Sequence, residues 1–104
     1  MAKWLYMVRT ECVDPSAEDE FNQWYNQVHI PDLLQNPDVK KAERYEDQSP
    51  TPGQGKYLAV YELETDDIDR TMASIRANVA VLREQGRISP LLNVVSRSLC
   101  RSLG

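Results

Sequence analysis

The chain has 104 residues, of which 41% are hydrophobic and 27% are charged, and its formal net charge is −4 at pH 7. This length fits one domain around one core, so residues 1–104 are predicted to form a single domain. The acidic excess argues against nucleic acid as a partner, because phosphate backbones repel a negative surface. No apolar run reaches the roughly 20 residues of a membrane span, and the apolar start is too short for a signal peptide. We therefore expect a cytoplasmic protein with no membrane partner.

The first predicted strand covers residues 3–10, where aromatic and branched side chains occupy both alternating positions. A strand with two apolar faces is typical of the centre of a sheet. Asp14-Pro15 ends this run. Residues 16–19, Ser-Ala-Glu-Asp, then have the form of a capping box, which predicts the start of a helix.

The first predicted helix has one apolar face. Its members are spaced at i, i+3, i+4 and i+7, and they are Phe21, Trp24, Tyr25 and Val28. Pro31 disfavours helical geometry at the residue before it, so this helix is expected to end or kink at Ile30. A short extra turn is predicted over residues 32–34.

Four further elements follow. Residues 39–46 alternate apolar with charged side chains, as in an edge strand, and residues 57–64 form a second strongly apolar strand. The segment 49–55 between them is rich in turn formers and is predicted to be a loop. Apolar residues then repeat every three or four positions over 66–86, which predicts a second helix, and residues 91–100 form the last strand.

The order βαββαβ predicts a ferredoxin-like α+β fold, a four-stranded antiparallel sheet with two helices on one face. The other face of such a sheet has no helix to cover it. Residues 4–8, 57–63 and 91–95 are apolar at both alternating positions, so part of this apolar surface would remain in water in a monomer. We therefore predict a homodimer in which the helix-free faces of two sheets meet.

The two cysteines, Cys12 and Cys100, lack the spacing of a metal or redox motif, and one pair is too sparse for a disulfide scaffold. In the expected antiparallel arrangement, the end of the first strand lies beside the start of the last. The length of the strands then separates the two Cα atoms well beyond the ~7 Å limit for a disulfide. Both cysteines are predicted to be free thiols.

Two short patterns carry a family resemblance over roughly a quarter of the chain. They are F-x-x-W-Y-x-x-x-H-x-P-x-L from Phe21 to Leu33 and P-x-V-x-x-A-x-R-Y from Pro37 to Tyr45. This segment resembles the EthD-like branch of the dimeric α+β barrel superfamily. The resemblance implies that fold and a range of activities, among them cofactor-free monooxygenases, polyketide cyclases and dehydratases, decarboxylases, isomerases and proteins with no assigned activity. A shared fold does not choose among these reactions.

His29 is the only histidine of the chain. Its ordinary pKa of about 6.5 permits proton transfer in both directions at neutral pH, so it is the first candidate for a catalytic residue. It is predicted to lie at the end of the first helix, one turn after Tyr25, where the helix dipole favours a protonated imidazole. The structural alternative is a hydrogen bond from His29 to a free carbonyl group of the helix end or to Asp32.

Several aromatic side chains are candidates for ligand contacts. Tyr61 is a candidate catalytic donor to a developing oxyanion, and Tyr25 and Tyr45 are candidate substrate-binding donors. Aromatic residues at these spacings are more often part of a core. Trp24 is a candidate stacking wall for a planar ligand, with helix–sheet packing as the alternative.

Two charged side chains complete the candidate substrate-binding set. Asp32 either orients His29 or caps the short turn opened by the proline before it. Arg44 either binds a carboxylate or pairs with Glu43 or Glu46 on the surface.

Several chemical templates are absent. The sequence contains no glycine-rich phosphate loop, no nucleophile elbow and no cluster of metal ligands, so neither a metal nor another cofactor is predicted. The favoured hypothesis is a cofactor-independent enzyme acting on a small aromatic or polyketide-like carbonyl compound, with proton transfer at His29 and a tyrosine hydroxyl holding the oxyanion. The alternative is a non-catalytic dimeric module that binds a small ligand or serves a structural role.

Overall fold

The computed structural model describes all residues from 1 to 104. Its four strands form one antiparallel sheet in the order β2-β3-β1-β4. The strands are β1 (Ala2–Cys12), β2 (Val39–Glu46), β3 (Tyr57–Thr65) and β4 (Leu92–Arg101). The predicted ferredoxin-like α+β architecture is confirmed.

The central strand β3 shows how the sheet separates its two faces. Burial alternates along all nine of its residues, with one set buried and the other half-buried. The buried set packs against the helices and forms much of the core, and its members are Tyr57, Ala59, Tyr61, Leu63 and Thr65. The predicted two-sided character of this strand therefore reflects one face under the helices and one face outside.

The first helix continues from residue 18 to residue 33 but changes its winding on the way. It consists of α1 (Glu18–Trp24), a π-helical turn (Tyr25–His29) and α2 (Ile30–Leu33). The amide of Ile30 donates to the carbonyl oxygen of Tyr25, five residues earlier.

The helix therefore does not end at Ile30, although an end or a kink was predicted there. In a regular α-helix, Pro31 would lack an amide donor and would press its ring against the carbonyl group four residues earlier. The wider π-helical turn immediately before Pro31 accommodates the ring and allows the helix to continue.

The start of the first helix also differs from the prediction, because the capping box over residues 16–19 does not form. The side chain of Asp14 instead accepts a hydrogen bond from the amide of Ser16 at 2.9 Å and opens a short 3-10 turn over Pro15–Ala17. Pro15 favours the first position of a helical turn, which places Asp14 at the cap. No side chain caps α1 itself.

The second helix, α3 (Ile68–Glu84), begins and ends as its sequence indicates. The side chain of Asp67 accepts a hydrogen bond from the amide of Arg70 at 3.0 Å and caps the helix. Gly86 follows the last turn with φ of 74°, a left-handed conformation that favours glycine. No helix of the structure combines the length and apolar character needed to cross a membrane.

The face of the sheet away from the helices carries exposed and half-buried apolar side chains. They are Leu5, Met7, Leu58 and Val60, of which Leu5 is 40% exposed. The structure differs from the prediction at the start of β4, which was expected to add apolar side chains to this face. Leu92 and Val94 lie opposite Cys12 and Thr10 on the helix side, where they pack against the core.

The two cysteines are far apart, as predicted. Cys12 lies opposite Leu92, and Cys100 lies opposite Leu5 at the other end of the same strand pair. Residues 5 and 12 of β1 are separated by roughly 23 Å, at about 3.3 Å per residue. Both cysteines are free thiols.

Candidate functional site

An enclosed cavity of about 70 Å³ lies between the first helix, α3 and the sheet. We call it the central cavity. Ten of its 13 lining residues are hydrophobic, and the other three are His29, Arg83 and Arg97. None of the lining residues is acidic.

His29 is 6% exposed and reaches the central cavity from the π-helical turn. Its imidazole stacks on the indole of Trp24 with the ring centroids 5.0 Å apart. The ring of Tyr25 meets the imidazole edge-on, also at 5.0 Å between centroids. The Nδ1 atom of His29 is buried and has no hydrogen-bond partner. The structural alternative, in which this ring fixes the helix end by a hydrogen bond, is therefore not observed at Nδ1.

Burial lowers the pKa of His29 from 6.5 to about 4, while the charge of Asp32 opposes this shift and the charge of Arg44 adds to it. The predicted preference for a protonated ring is wrong. The helix continues beyond His29, so no row of free carbonyl groups surrounds it, and burial disfavours the charged form. At neutral pH the imidazole is uncharged and has a lone pair that can accept a proton.

Tyr61 brings a second unpaired polar atom to the same cavity. Its side chain is 1% exposed, and its hydroxyl oxygen is buried with no hydrogen-bond partner. Burial raises the pKa of Tyr61 well above its usual value, and the neighbouring Tyr25 hydroxyl adds to the effect, although the geometry between the two hydroxyl groups does not form a hydrogen bond. Burial also raises the pKa of Tyr25. Both hydroxyl groups are therefore neutral donors at physiological pH.

Arg44 lies behind the Tyr25 ring rather than in the cavity. Its guanidinium carbon is 4.1 Å from the centroid of that ring, a cation–π contact. The guanidinium donates to the side-chain oxygens of Asn26 at 3.0 Å and Asn22 at 2.9 Å. The Nε atom is buried without a partner. Arg44 thus supports Tyr25 from outside.

Tyr45 lies on the helix-free side of β2, where it is 51% exposed and its hydroxyl donates to Glu43. Glu43 also pairs with Lys41 at 2.9 Å. The predicted surface pairing of Arg44 with Glu43 or Glu46 does not form. Tyr45 does not line the central cavity.

A larger depression of about 340 Å³ lies along the β2 edge of the sheet, beside the first helix. Its polar groups are largely bonded to one another. The hydroxyl of Tyr57 donates to Glu18 at 2.8 Å and accepts a hydrogen bond from Asn22 at 3.2 Å. Arg44, whose Nε atom has no partner, and Tyr45 also line this depression. We place the candidate site in the smaller central cavity, because two residues that each carry an unpaired polar atom, His29 and Tyr61, both line it.

Asp32 and Trp24 hold the segment after α3 against the first helix. Arg87 donates to both carboxylate oxygens of Asp32, at 2.7 Å and 2.9 Å. The indole N–H of Trp24 donates to the carbonyl oxygen of Arg87 at 3.0 Å. Asp32 caps no helix and forms no hydrogen bond with His29, because both of its carboxylate oxygens accept from Arg87. Trp24 stacks on the imidazole of His29, so that face of its indole is occupied by the protein itself and not free for a planar ligand.

The central cavity therefore brings together three of the seven predicted site residues, namely Tyr25, His29 and Tyr61. The other four predicted residues do not line the cavity; they are Trp24, Asp32, Arg44 and Tyr45. No three side chains of His, Cys, Asp or Glu come together as metal ligands.

Ten cavity residues were not predicted as site residues from the sequence, and three of these carry polar groups: Tyr6, Arg83 and Arg97. The alternation of β1 contained a signal for Tyr6, which shares a face with Trp4 and Val8. Arg97 had no such signal, because the register between β1 and β4 shifts before it.

Solved structures share this fold over almost the whole chain. HapK from Hahella chejuensis is 17% identical with a TM-score of 0.67, and the alignment covers 97% of this chain and 93% of that one. An EthD family protein from Bacillus halodurans is 15% identical with a TM-score of 0.57, covering 99% and 100%. SnoaB from Streptomyces nogalater, described as a cofactor-independent oxygenase, is 12% identical with a TM-score of 0.54, covering 99% and 93%. These likenesses confirm the fold expected from the EthD-like resemblance.

No curated protein matches the sequence. Residues 3–84 match the family described as "Domain of unknown function (DUF4286)". The match covers both helices and every strand except β4, and thus most of the lining of the central cavity. The chain belongs to this family, and its fold is ferredoxin-like.

Proposed function

We propose that this protein is a cofactor-independent enzyme that acts on a small aromatic or polyketide-like carbonyl compound by proton transfer. One observation supports the proposal above the others. His29 and Tyr61 line the same cavity, and each holds a buried polar atom with no hydrogen-bond partner. An unpaired buried group costs about 1–3 kcal/mol, a cost that a bound ligand with matching polar atoms would remove.

In the proposed reaction, neutral His29 removes a proton from the carbon next to a carbonyl group. The electron pair of the broken C–H bond moves onto the carbonyl oxygen and forms an enolate, to which the Tyr61 hydroxyl donates a hydrogen bond. The low pKa of His29 makes its protonated form a strong acid. It therefore returns the proton readily, to another carbon in an isomerisation or to a leaving oxygen in a dehydration.

The cavity volume limits the part of the substrate that approaches His29. Ligand pockets generally enclose about 300–1,000 Å³, whereas the central cavity has about 70 Å³. A single compact group fits this space, and a larger substrate requires movement of the exposed Arg83 and Arg97 side chains. The alternative function, a non-catalytic module that binds a small ligand, uses the same cavity without proton transfer.

We also propose that the protein is a homodimer joined through the helix-free faces of its sheets. The apolar side chains of β1 and β3 on this face have no cover within the chain. Met7 lies directly opposite Val60 there, with Leu5 and Leu58 beside this pair. Two solved structures with the same fold are described as dimeric ferredoxin-like proteins, which supports a dimer here.

A two-stage experiment tests the proposed enzyme. The purified protein is screened by thermal shift against aromatic acids, quinones and lactones, since a ligand at 100 times its Kd stabilises by about 2.7 kcal/mol. Each hit is then assayed for conversion by the wild type and by His29→Gln. Conversion that the substitution abolishes supports the proposal, and conversion that it leaves unchanged contradicts it. Binding without conversion supports the non-catalytic alternative.

A further inference from the structure

The irregularity in β4 determines which side chain of that strand enters the central cavity. Ser96 lies opposite Arg9 and Val94 lies opposite Thr10, so Val95 is an extra residue, a β-bulge. Beyond the bulge, Arg97 occupies the helix-facing side that Val94 occupies before it. With strict alternation, the short side chain of Ser96 would take this place. Bulges often re-aim a side chain next to a functional site.

Arg83 reaches the same cavity from the last turn of α3. No ion pair involves Arg83 or Arg97, although the chain has 16 acidic residues for 12 lysines and arginines. Arg87, only four positions after Arg83, is by contrast held by both oxygens of Asp32. The two cavity arginines are exposed, whereas Tyr25, His29 and Tyr61 are buried. The two arginines therefore belong to the solvent-exposed part of the cavity lining.

The positive charge of Arg97 acts on the buried Tyr25 hydroxyl, where it opposes the effect of burial on the pKa of Tyr25. Because no acidic residue lines the cavity, nothing in the lining compensates for the two guanidinium groups. A ligand that combines an apolar body with one anionic group would complement both the apolar walls and these charges.

We propose that Arg83 and Arg97 bind the carboxylate of a compact aromatic or unsaturated acid, whose apolar part enters the central cavity. The opposite end of such a ligand points toward His29 and Tyr61. This inference rests on the proposed function, because it narrows the substrate from carbonyl compounds in general to those that carry a carboxylate.

The test compares benzoate with benzamide, its uncharged analogue of the same shape. Calorimetric titrations of both compounds are made with the wild type, Arg83→Gln, Arg97→Gln and the control Arg76→Gln. Arg76 is exposed on α3 but does not line the cavity. We expect the wild type and the control to prefer benzoate. Each cavity variant should lose benzoate affinity by roughly tenfold to a hundredfold, the size expected for one charge-assisted hydrogen bond, and should keep its affinity for benzamide.

Three results overturn the proposal: no saturable binding of benzoate, equal affinities for benzoate and benzamide, or equal losses in Arg76→Gln and the cavity variants. A comparison of substrates separates this inference from the proposed function. Conversion of an uncharged carbonyl compound that depends on His29 but not on Arg83 or Arg97 would retain the acid–base proposal and overturn the carboxylate site.

Discussion

The imidazole of His29 lies nearly parallel to the indole of Trp24, with the ring centroids 5.0 Å apart and the planes inclined by 19°. The indole is itself fixed, because its N–H donates to the carbonyl oxygen of Arg87. The ring of Tyr25 packs against the edge of the imidazole. The ring is thus held by packing on its face and edge while Nδ1 keeps no partner. A positioned, unpaired base of this kind suits proton transfer.

The first prediction concerns His29→Gln, which should lower turnover by a factor of about 10² to 10⁴, the usual contribution of a general acid or base. Glutamine resembles histidine in size and polarity, so the fold should be retained. Steady-state turnover and the thermal midpoint are measured together. As a control, Trp24→Phe keeps an aromatic wall but loses the hydrogen bond to Arg87, and it should reduce turnover much less. Full turnover in His29→Gln would end the acid–base proposal.

Two tyrosine substitutions should change stability in opposite directions. Tyr61→Phe removes an unpaired buried hydroxyl and should raise the free energy of unfolding by about 1 kcal/mol. Tyr57→Phe removes a hydroxyl that is bonded to Glu18 and Asn22 and should lower it by about the same amount. Denaturant titrations measure both changes. If Tyr61→Phe is as destabilising as Tyr57→Phe, the Tyr61 hydroxyl has a partner in solution and its role as a free donor fails.

The low pKa of His29 predicts a specific loss of stability in mild acid. Between the unfolded value of 6.5 and the folded value of about 4, the unfolded chain binds a proton that the folded chain does not. The free energy of unfolding therefore falls as the pH is lowered through this range. Between pH 7.5 and 4.5 the contribution of His29 is about 2–3 kcal/mol.

Comparison with His29→Gln isolates this contribution. The carboxylates of the chain titrate in both proteins, so their effect cancels in the difference between them. Unfolding is measured at both pH values for each protein, and the wild type should lose more stability than the variant. Equal losses in the two proteins would show that His29 is not buried as a neutral ring.

The proposed dimer predicts that a charge on the helix-free face separates the subunits. Val60→Asp places a carboxylate opposite Met7, where the second sheet is proposed to pack. Sedimentation should show a dimer for the wild type and a monomer for this variant at micromolar concentration. Val81→Asp is the control, because Val81 is 51% exposed on α3, away from this face. A wild type that remains monomeric at this concentration contradicts the proposal.

The element order and the main core residues could be predicted from the sequence because they follow simple periods. The alternation around Tyr61 and the helical spacing from Phe21 to Val28 each hold over several residues. The errors arise where one residue interrupts a period. A π-helical turn carried the first helix through Pro31, and the bulge at Val95 brought Arg97 to the cavity side. One extra residue changes the face of every side chain that follows it.

Contacts between residues that are far apart in the sequence could not be predicted either. Asp32 and Arg87 are 55 positions apart, and their pairing depends on how α3 crosses the sheet. For the same reason, the sequence could place Arg44 on a charged strand but could not place its guanidinium against the ring of Tyr25.

The π-helical turn joins the two α-helical segments of the first helix, and it sets how far the second segment is rotated around the helix axis relative to the first. Each residue of a regular α-helix advances by about 100° around the axis, so Phe21 and Leu33 would lie about 120° apart on an uninterrupted α-helix. The π-helical turn advances less per residue, because its hydrogen bond joins residues five apart. It therefore brings Phe21 and Leu33, both buried against the rest of the fold, toward the same face. Both α-helical segments therefore contact the core, and His29 lies in the π-helical turn that joins them.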